Sequence, residues 1–152
     1  MATYVSENIT YGQTFLLSVI AALKTAPTNP LVNMGKVRLT TQAGFNPQPL
    51  LTIAELSPNE ANYSGYTAGG IALTLSSPVL LGTGAVGNSQ AVEFIASTAS
   101  PFVPSTLTGY WIDDGTNVIA MEAFSTSIPI AAAYDFLALV LQLPLQLAQA
   151  TS

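Results

Sequence analysis

The sequence predicts a mainly β fold: one antiparallel β-sandwich domain over residues 1–152, with a single N-terminal helix. Three observations predict it. Residues Leu107–Phe124 place two apolar, aromatic and β-branched runs on either side of an Asp-Gly pair, a strong short-range hairpin signal. Leu137, Leu139, Leu141, Leu143, Leu145 and Leu147 fall at strictly alternate positions, the period of a strand rather than a helix. Short alternating segments elsewhere are separated by Gly, Pro and Asn clusters.

The elements follow in order. Residues 1–10 read as an extended arm. Residues 13–25 read as a helix, with Phe15, Leu16, Val19, Ile20 and Leu23 on one stripe and Pro27 ending it. Such a helix suits packing on a sheet, because a membrane-surface helix needs a basic polar face and this one has none. The β-sandwich is expected over residues 36–147. It starts with a strand over Lys36–Ala43, with Val37 and Leu39 inward and Lys36, Arg38 and Thr40 outward. Ile53–Leu56 is a short apolar piece. Ser57-Pro58-Asn59-Glu60 reads as a helical turn with Ser57 as N-cap and Glu60 as its capping-box partner. Tyr63–Leu75 reads as one long strand, broken by a bulge or bend at Gly69-Gly70. Val79–Leu81 and Ala91–Ala96 are further strands.

In the hairpin, Asp114 and Gly115 are the expected turn residues. A two-residue turn pairs Tyr110 with Ile119 and Trp111 with Val118. It puts Tyr110, Ile112, Ile119 and Met121 on one face, and Trp111, Val118 and Ala120 on the other. A three-residue loop shifts that register by one and exchanges the pairs. Both faces are apolar, so the hairpin is expected inside a sandwich or beneath a partner subunit. The last segment, Ile128–Ala148, holds one charge, Asp135, and is long enough to cross a bilayer. The leucine alternation favours a strand, with Pro144 at an edge or a break.

The composition constrains function. Charged residues make up 7% of the chain and apolar residues 49%, against about 25% charged in an ordinary soluble domain. A surface so poor in charge resists association weakly, so a homo-oligomer or a larger assembly is expected. Lys24, Lys36 and Arg38 are the whole basic inventory, too few for phosphate-based nucleic-acid binding. The chain has no Cys and no His, which removes thiolate metal sites, disulfides, and the commonest general base and metal ligand. No signal peptide is read at Met1–Glu7, and no membrane association is expected.

No stretch reads as a catalytic, cofactor-binding or metal site. Gly82-Thr83-Gly84-Ala85-Val86-Gly87 spells a dinucleotide fingerprint, but a strand-like run follows where a helix is needed. Asp113 and Asp114 could form a carboxylate pair, yet adjacent strand residues point to opposite faces. Glu55, Glu60, Glu93, Glu122 and Asp135 lack ligand spacing. Ser64 has no His to activate it. Asn8-Ile9-Thr10 and Asn62-Tyr63-Ser64 are glycosylation sequons by pattern alone. Leu137, Leu139, Leu141, Leu143 and Leu145 are the candidate interface residues, facing either the core or a partner chain.

The order of segments resembles a broad group of small structural proteins of tailed bacteriophages. The resemblance runs over about Phe15–Phe124. It rests on Val37-Arg38-Leu39-Thr40, on Leu56-Ser57-Pro58-Asn59-Glu60-Ala61 leading into Tyr63-Ser64-Gly65-Tyr66, and on Gly109-Tyr110-Trp111-Ile112 turning through Asp114-Gly115 into Ile119–Phe124. It implies a noncatalytic virion protein, foremost a capsid decoration or cement subunit. Its expected partners are the major capsid protein or other virion subunits, and its expected location is the virion, assembled in the bacterial cytoplasm. A tail or fibre subunit is the alternative. A carbohydrate-binding sandwich is another, with Tyr63, Tyr66, Tyr110 and Trp111 as candidate exposed aromatics.

Overall fold

The structure, a computed structural model, describes residues 2–5, 9–13, 35–73, 79–81, 84–89 and 91–146. The fold is mainly β. The strands are β1 (Ala2–Val5), β2 (Thr10–Tyr11), β3 (Lys36–Thr40), β4 (Ile71–Ala72), β5 (Val79–Leu81) and β6 (Gly84–Asn88). They continue with β7 (Val92–Ile95), β8 (Ser105–Asp113), β9 (Val118–Ile130), β10 (Phe136–Val140) and β11 (Gln142–Gln146). Gln13 is helical; the rest of the helix expected at 13–25 lies outside the described residues.

A five-stranded sheet runs β2-β9-β8-β3-β4, and two three-stranded sheets run β1-β10-β7 and β11-β6-β5. The two small sheets meet end to end at a backbone irregularity. There Ser89 N–H donates to Leu141 O at 2.9 Å, and Leu141 N–H donates to Ser89 Oγ at 2.9 Å. The leucine-rich run is therefore extended as expected, but it breaks at Leu141. Pro144 keeps its place in β11, opposite Val86 of β6. The pairing is not wholly antiparallel, since β1 lies parallel to β10, with Ala2 opposite Leu137 and Val5 opposite Val140.

The main hydrophobic cluster draws on the five-stranded sheet through Val37, Leu39, Tyr110, Ile112 and Phe124, and on the β1-β10-β7 sheet through Val92, Phe94, Leu137 and Leu139. Alternation explains it: every second residue of β3, β7 and β10 is apolar and turns the same way. A second cluster, Phe45, Leu56, Trp111, Val118 and Met121, covers the other face of the β8-β9 hairpin. The chain's own 45–56 segment thus shields the second apolar face.

The hairpin register departs from the two-residue turn. Tyr110 lies opposite Glu122, Trp111 opposite Met121, Ile112 opposite Ala120 and Asp113 opposite Val118, with an irregularity between Ile112 and Asp113. Met121 therefore joins Trp111, and Ala120 joins the Tyr110 side. The cause is polar. Asp113 Oδ1 accepts Gly115 N–H at 3.0 Å, and Asp114 Oδ1 accepts Thr116 N–H at 2.8 Å and Asn117 N–H at 2.7 Å. These Asx contacts stabilise a wider loop over Asp114–Asn117, in which Gly115 takes φ +91°, a conformation cheap for Gly alone.

Three other expectations are corrected. The helical turn at Ser57–Glu60 is present as a 3-10 turn over Ser57–Asn59, but its capping is not: the capping box is Thr52 with Glu55, on the preceding α1 (Ile53–Leu56). Both Thr52-x-x-Glu55 and Ser57-x-x-Glu60 fit the capping pattern, and Glu60 is engaged elsewhere. Tyr63–Leu75 is not a long strand. Gly65, Gly69 and Gly70 all have positive φ, so the chain turns repeatedly and only Ile71–Ala72 pairs, while residues 74–78 lie outside the described residues. Thr40 is buried rather than outward, because its hydroxyl donates to Asn59 O at 3.3 Å and accepts Gln42 N–H at 3.1 Å.

Candidate functional site

Two polar clusters hold Arg38, Glu60, Asp113 and Glu122, and all four side chains are largely or fully covered. The first is centred on Arg38 in β3. Its Nε lies 2.7 Å from Asp113 Oδ2, its Nη2 donates to Asp113 Oδ1 at 3.2 Å, and its Nη1 donates to Glu60 Oε2 at 3.3 Å. Asp113 Oδ2 also accepts Trp111 Nε1–H at 3.1 Å. Glu60 Oε1 accepts the Tyr66 hydroxyl at 2.9 Å and Gly69 N–H at 2.8 Å. Burial pulls the Arg38 pKa down, but the hydrogen bond and charge of Asp113, joined by Glu60, outweigh it, and the net direction is up. Asp113 is 1% exposed, so the fork-on-carboxylate pair is closed to solvent on the acid's side.

The pairing has a legible origin. Arg38 sits opposite Trp111, and Trp111 and Asp113, two apart on β8, share a face. The sequence reading placed Arg38 outward and assigned Asp113 to the turn; its larger role is this ion pair. Glu60 could not be read as a partner, because a long loop separates it from Arg38.

The second cluster lies in the main core. Glu122 of β9 is fully buried. Its Oε2 accepts the Tyr110 hydroxyl at 2.7 Å and its Oε1 accepts the Tyr4 hydroxyl at 2.9 Å. Tyr4 comes from β1, so the first strand delivers a donor across the layer between the sheets. Its ring also packs on Phe124 with centroids 4.7 Å apart. Two donors satisfy much of what a buried carboxyl requires.

Tyr63-Ser64-Gly65-Tyr66 is a turn that ties segments together. Ser64 N–H donates to Val103 O at 3.1 Å, and Val103 N–H donates to Ser64 Oγ at 2.9 Å. Ser97 N–H donates to Ser64 O at 2.8 Å. Tyr66 stacks on Phe94 at 6.0 Å, and its hydroxyl accepts Leu39 N–H at 3.2 Å. Ser64 is a structural hydroxyl in this setting.

The other sequence-predicted residues do not converge. Leu137, Leu139 and Leu141 are 0% exposed within the chain itself, so their side chains belong to its core rather than to a partner surface. Leu143 lies opposite Gly87 and Leu145 opposite Ala85 in β11. Asp114 and Gly115 remain in the exposed turn, where Gly115 N–H donates to Asp113 Oδ1. Of the four candidate aromatics, Tyr63, Tyr110 and Trp111 are buried and Tyr66 is half-buried. Among the described residues no group of three metal-ligating side chains comes together.

A cleft of about 110 Å³ opens between the hairpin loop and the stretch before α1, lined by Gln13, Pro49, Leu50, Thr52, Thr116 and Asn117 among others. It has no ionisable side chain and is smaller than an ordinary small-molecule site. The chain matches no known family model, no curated protein and no solved structure. No helix among the described residues is long and apolar enough to cross a membrane.

Proposed function

We propose that this chain is a noncatalytic structural subunit, built as a single two-layer β-sandwich, that works by burying its surface in a repeating assembly. The phage-like segment order favours a virion component, foremost a capsid decoration or cement protein on the shell lattice. One observation carries the reading: a chain with only 7% charged residues spends several of them internally. Arg38 and Glu60 are mostly covered, and Asp113 and Glu122 are buried. The surface is therefore poorer in charge than the composition alone states, and charge is what keeps surfaces apart. Besides Val5 and Leu50, three exposed large apolar side chains share one neighbourhood. Ile95 and Tyr134 are 52% and 73% exposed, with Tyr134 N–H bonded to Ala96 O, and Val103 is held close by through Ser64. Many weak identical contacts of this kind add through multivalency on a lattice.

Mass spectrometry of purified particles tests the reading. The expected result is a fixed copy number in simple ratio to the main shell protein. Absence from particles, with a dispersed monomer in sedimentation at high concentration, refutes it. A fixed ratio to tail proteins instead moves the subunit from head to tail.

A further inference from the structure

We infer that the face around Tyr134 and Ile95 docks a different protein of the assembly, one whose contact surface is apolar and sets a lysine or arginine against Glu93. The inference rests on the assembly reading above and names the chemistry of the partner. Tyr134 lies in the connection between β9 and β10. Among the described residues it alone has positive φ, +67°, without being glycine. That conformation is costly for a residue with a Cβ and cheap for glycine. The turn holds it there. Asp135 Oδ2 accepts Ala131 N–H at 2.8 Å and Ala132 N–H at 2.9 Å. Asp135 N–H donates to Ala132 O at 3.2 Å, and Tyr134 N–H donates to Ala96 O at 3.1 Å. A turn that needs only its backbone shape is best served by glycine at such a position. Here a large aromatic stands there, 73% exposed, on a backbone fixed by its own hydrogen bonds. An exposed tyrosine on a preorganised backbone is the kind of residue that anchors an interface.

The surroundings say what it anchors to. Ile95, next to Ala96, is exposed. Phe136, two residues beyond Tyr134, lies opposite Ile95 and is half-buried. Glu93, two residues before Ile95, shares its side of β7 and is exposed. The ion pairs among the described residues all belong to Arg38, so Glu93 has no cation there. Exposed charge on the described residues is mostly acidic: Glu55, Glu93 and Asp114, against Lys36 as the single exposed base. A second copy turned about a two-fold axis on this face sets Glu93 against Glu93, and like charges across a contact repel. Charge complementarity therefore selects a different chain, with a basic group beside an apolar centre that covers Tyr134, Ile95 and Phe136.

Tyr134→Gly separates a docking role from a structural one, because glycine takes this φ without strain. Particles are grown with wild type, Tyr134→Gly or Glu93→Lys as the only source of the chain. Copy number relative to the main shell protein is read by mass spectrometry, and the free proteins are compared by thermal melting and sedimentation. Both variants are expected to melt like the wild type. Their copy number is expected to fall about tenfold or more, the scale on which losing an interface anchor acts. Tyr134→Asn, which also tolerates positive φ, takes the place of the glycine variant should that one misfold. Full copy number of folded Tyr134→Gly overturns the docking surface and leaves the assembly reading standing. Full copy number of Glu93→Lys overturns the basic partner. Self-association of the free wild type that Tyr134→Gly abolishes makes a second copy the occupant, and overturns the inference as well. Absence of the wild type from particles overturns the assembly reading and this inference together.

Discussion

Asp113 and Asp114 are adjacent and chemically identical, yet they do different work. Asp114 accepts two backbone N–H groups in an exposed turn, so Asp114→Ala is expected to cost about 1 kcal/mol, as loss of a local side-chain cap does. Asp113 is buried against Arg38 and Trp111. Its removal leaves a mostly covered guanidinium with Glu60 alone, and the expected loss is about 2–3 kcal/mol. Urea titration of both variants checks the order, and an Asp114 variant weaker than the Asp113 variant would sink this account. Tyrosines set the alkaline limit. Burial pushes the Tyr63 phenol from 10.0 up to about 12, and raises Tyr11 and Tyr66 as well. These groups stay neutral in the fold while the unfolded chain ionises. Their contribution is fully present below pH 10 and is lost as pH rises through the folded values. The Tyr63 hydroxyl is buried without a hydrogen-bond partner. Tyr63→Phe should therefore leave neutral-pH stability equal or higher, and flatten the decline above pH 10 in a thermal-melt series.

At the scale of elements, β10 gives the sharpest expectation. Leu139 is 0% exposed in the main cluster, so Leu139→Ala should cost about 2–5 kcal/mol. Leu139→Asp should unfold the chain rather than merely disperse an assembly, because it buries an unpaired charge. A folded, soluble Leu139→Asp monomer by circular dichroism would refute the core assignment. What the sequence revealed divides along physical lines. The strands β3, β7, β8, β9 and β10 were legible because period-2 burial writes itself into alternate residues. The hairpin register was not, because it depends on which backbone N–H each carboxylate takes, and that choice shifted Met121 to the other face. The stretch after Tyr63 looked like a strand because its apolar residues alternate. Three glycines at positive φ turned it into a clasp instead. The Arg38 and Glu122 clusters were illegible for a simpler reason: their members meet only after loops and sheets close, and no local spacing encodes that.

At the scale of the molecule, two of the sheets are tied by residues 2–11. β1 belongs to one sheet and β2 to another, with Thr10 opposite Met121 and Tyr11 opposite Ala120. Residues 2–11 therefore join two sheets, and the Tyr4–Glu122 contact links β1 of one to β9 of the other.

That placement dictates an order of events in time. The β8-β9 hairpin is closed by a short connection, but Ala2 must find Leu137 across nearly the whole chain. Contacts so distant in sequence form late, since the entropy of closing the intervening loop comes first. On the ribosome β1 is made before β10, and it waits unpaired while β10 is still being synthesised. Pulsed hydrogen exchange during refolding should find the amides of Tyr110–Ile112 and Ile119–Met121 protected before those of Leu137–Leu139. Equal protection rates across both sets would contradict this order.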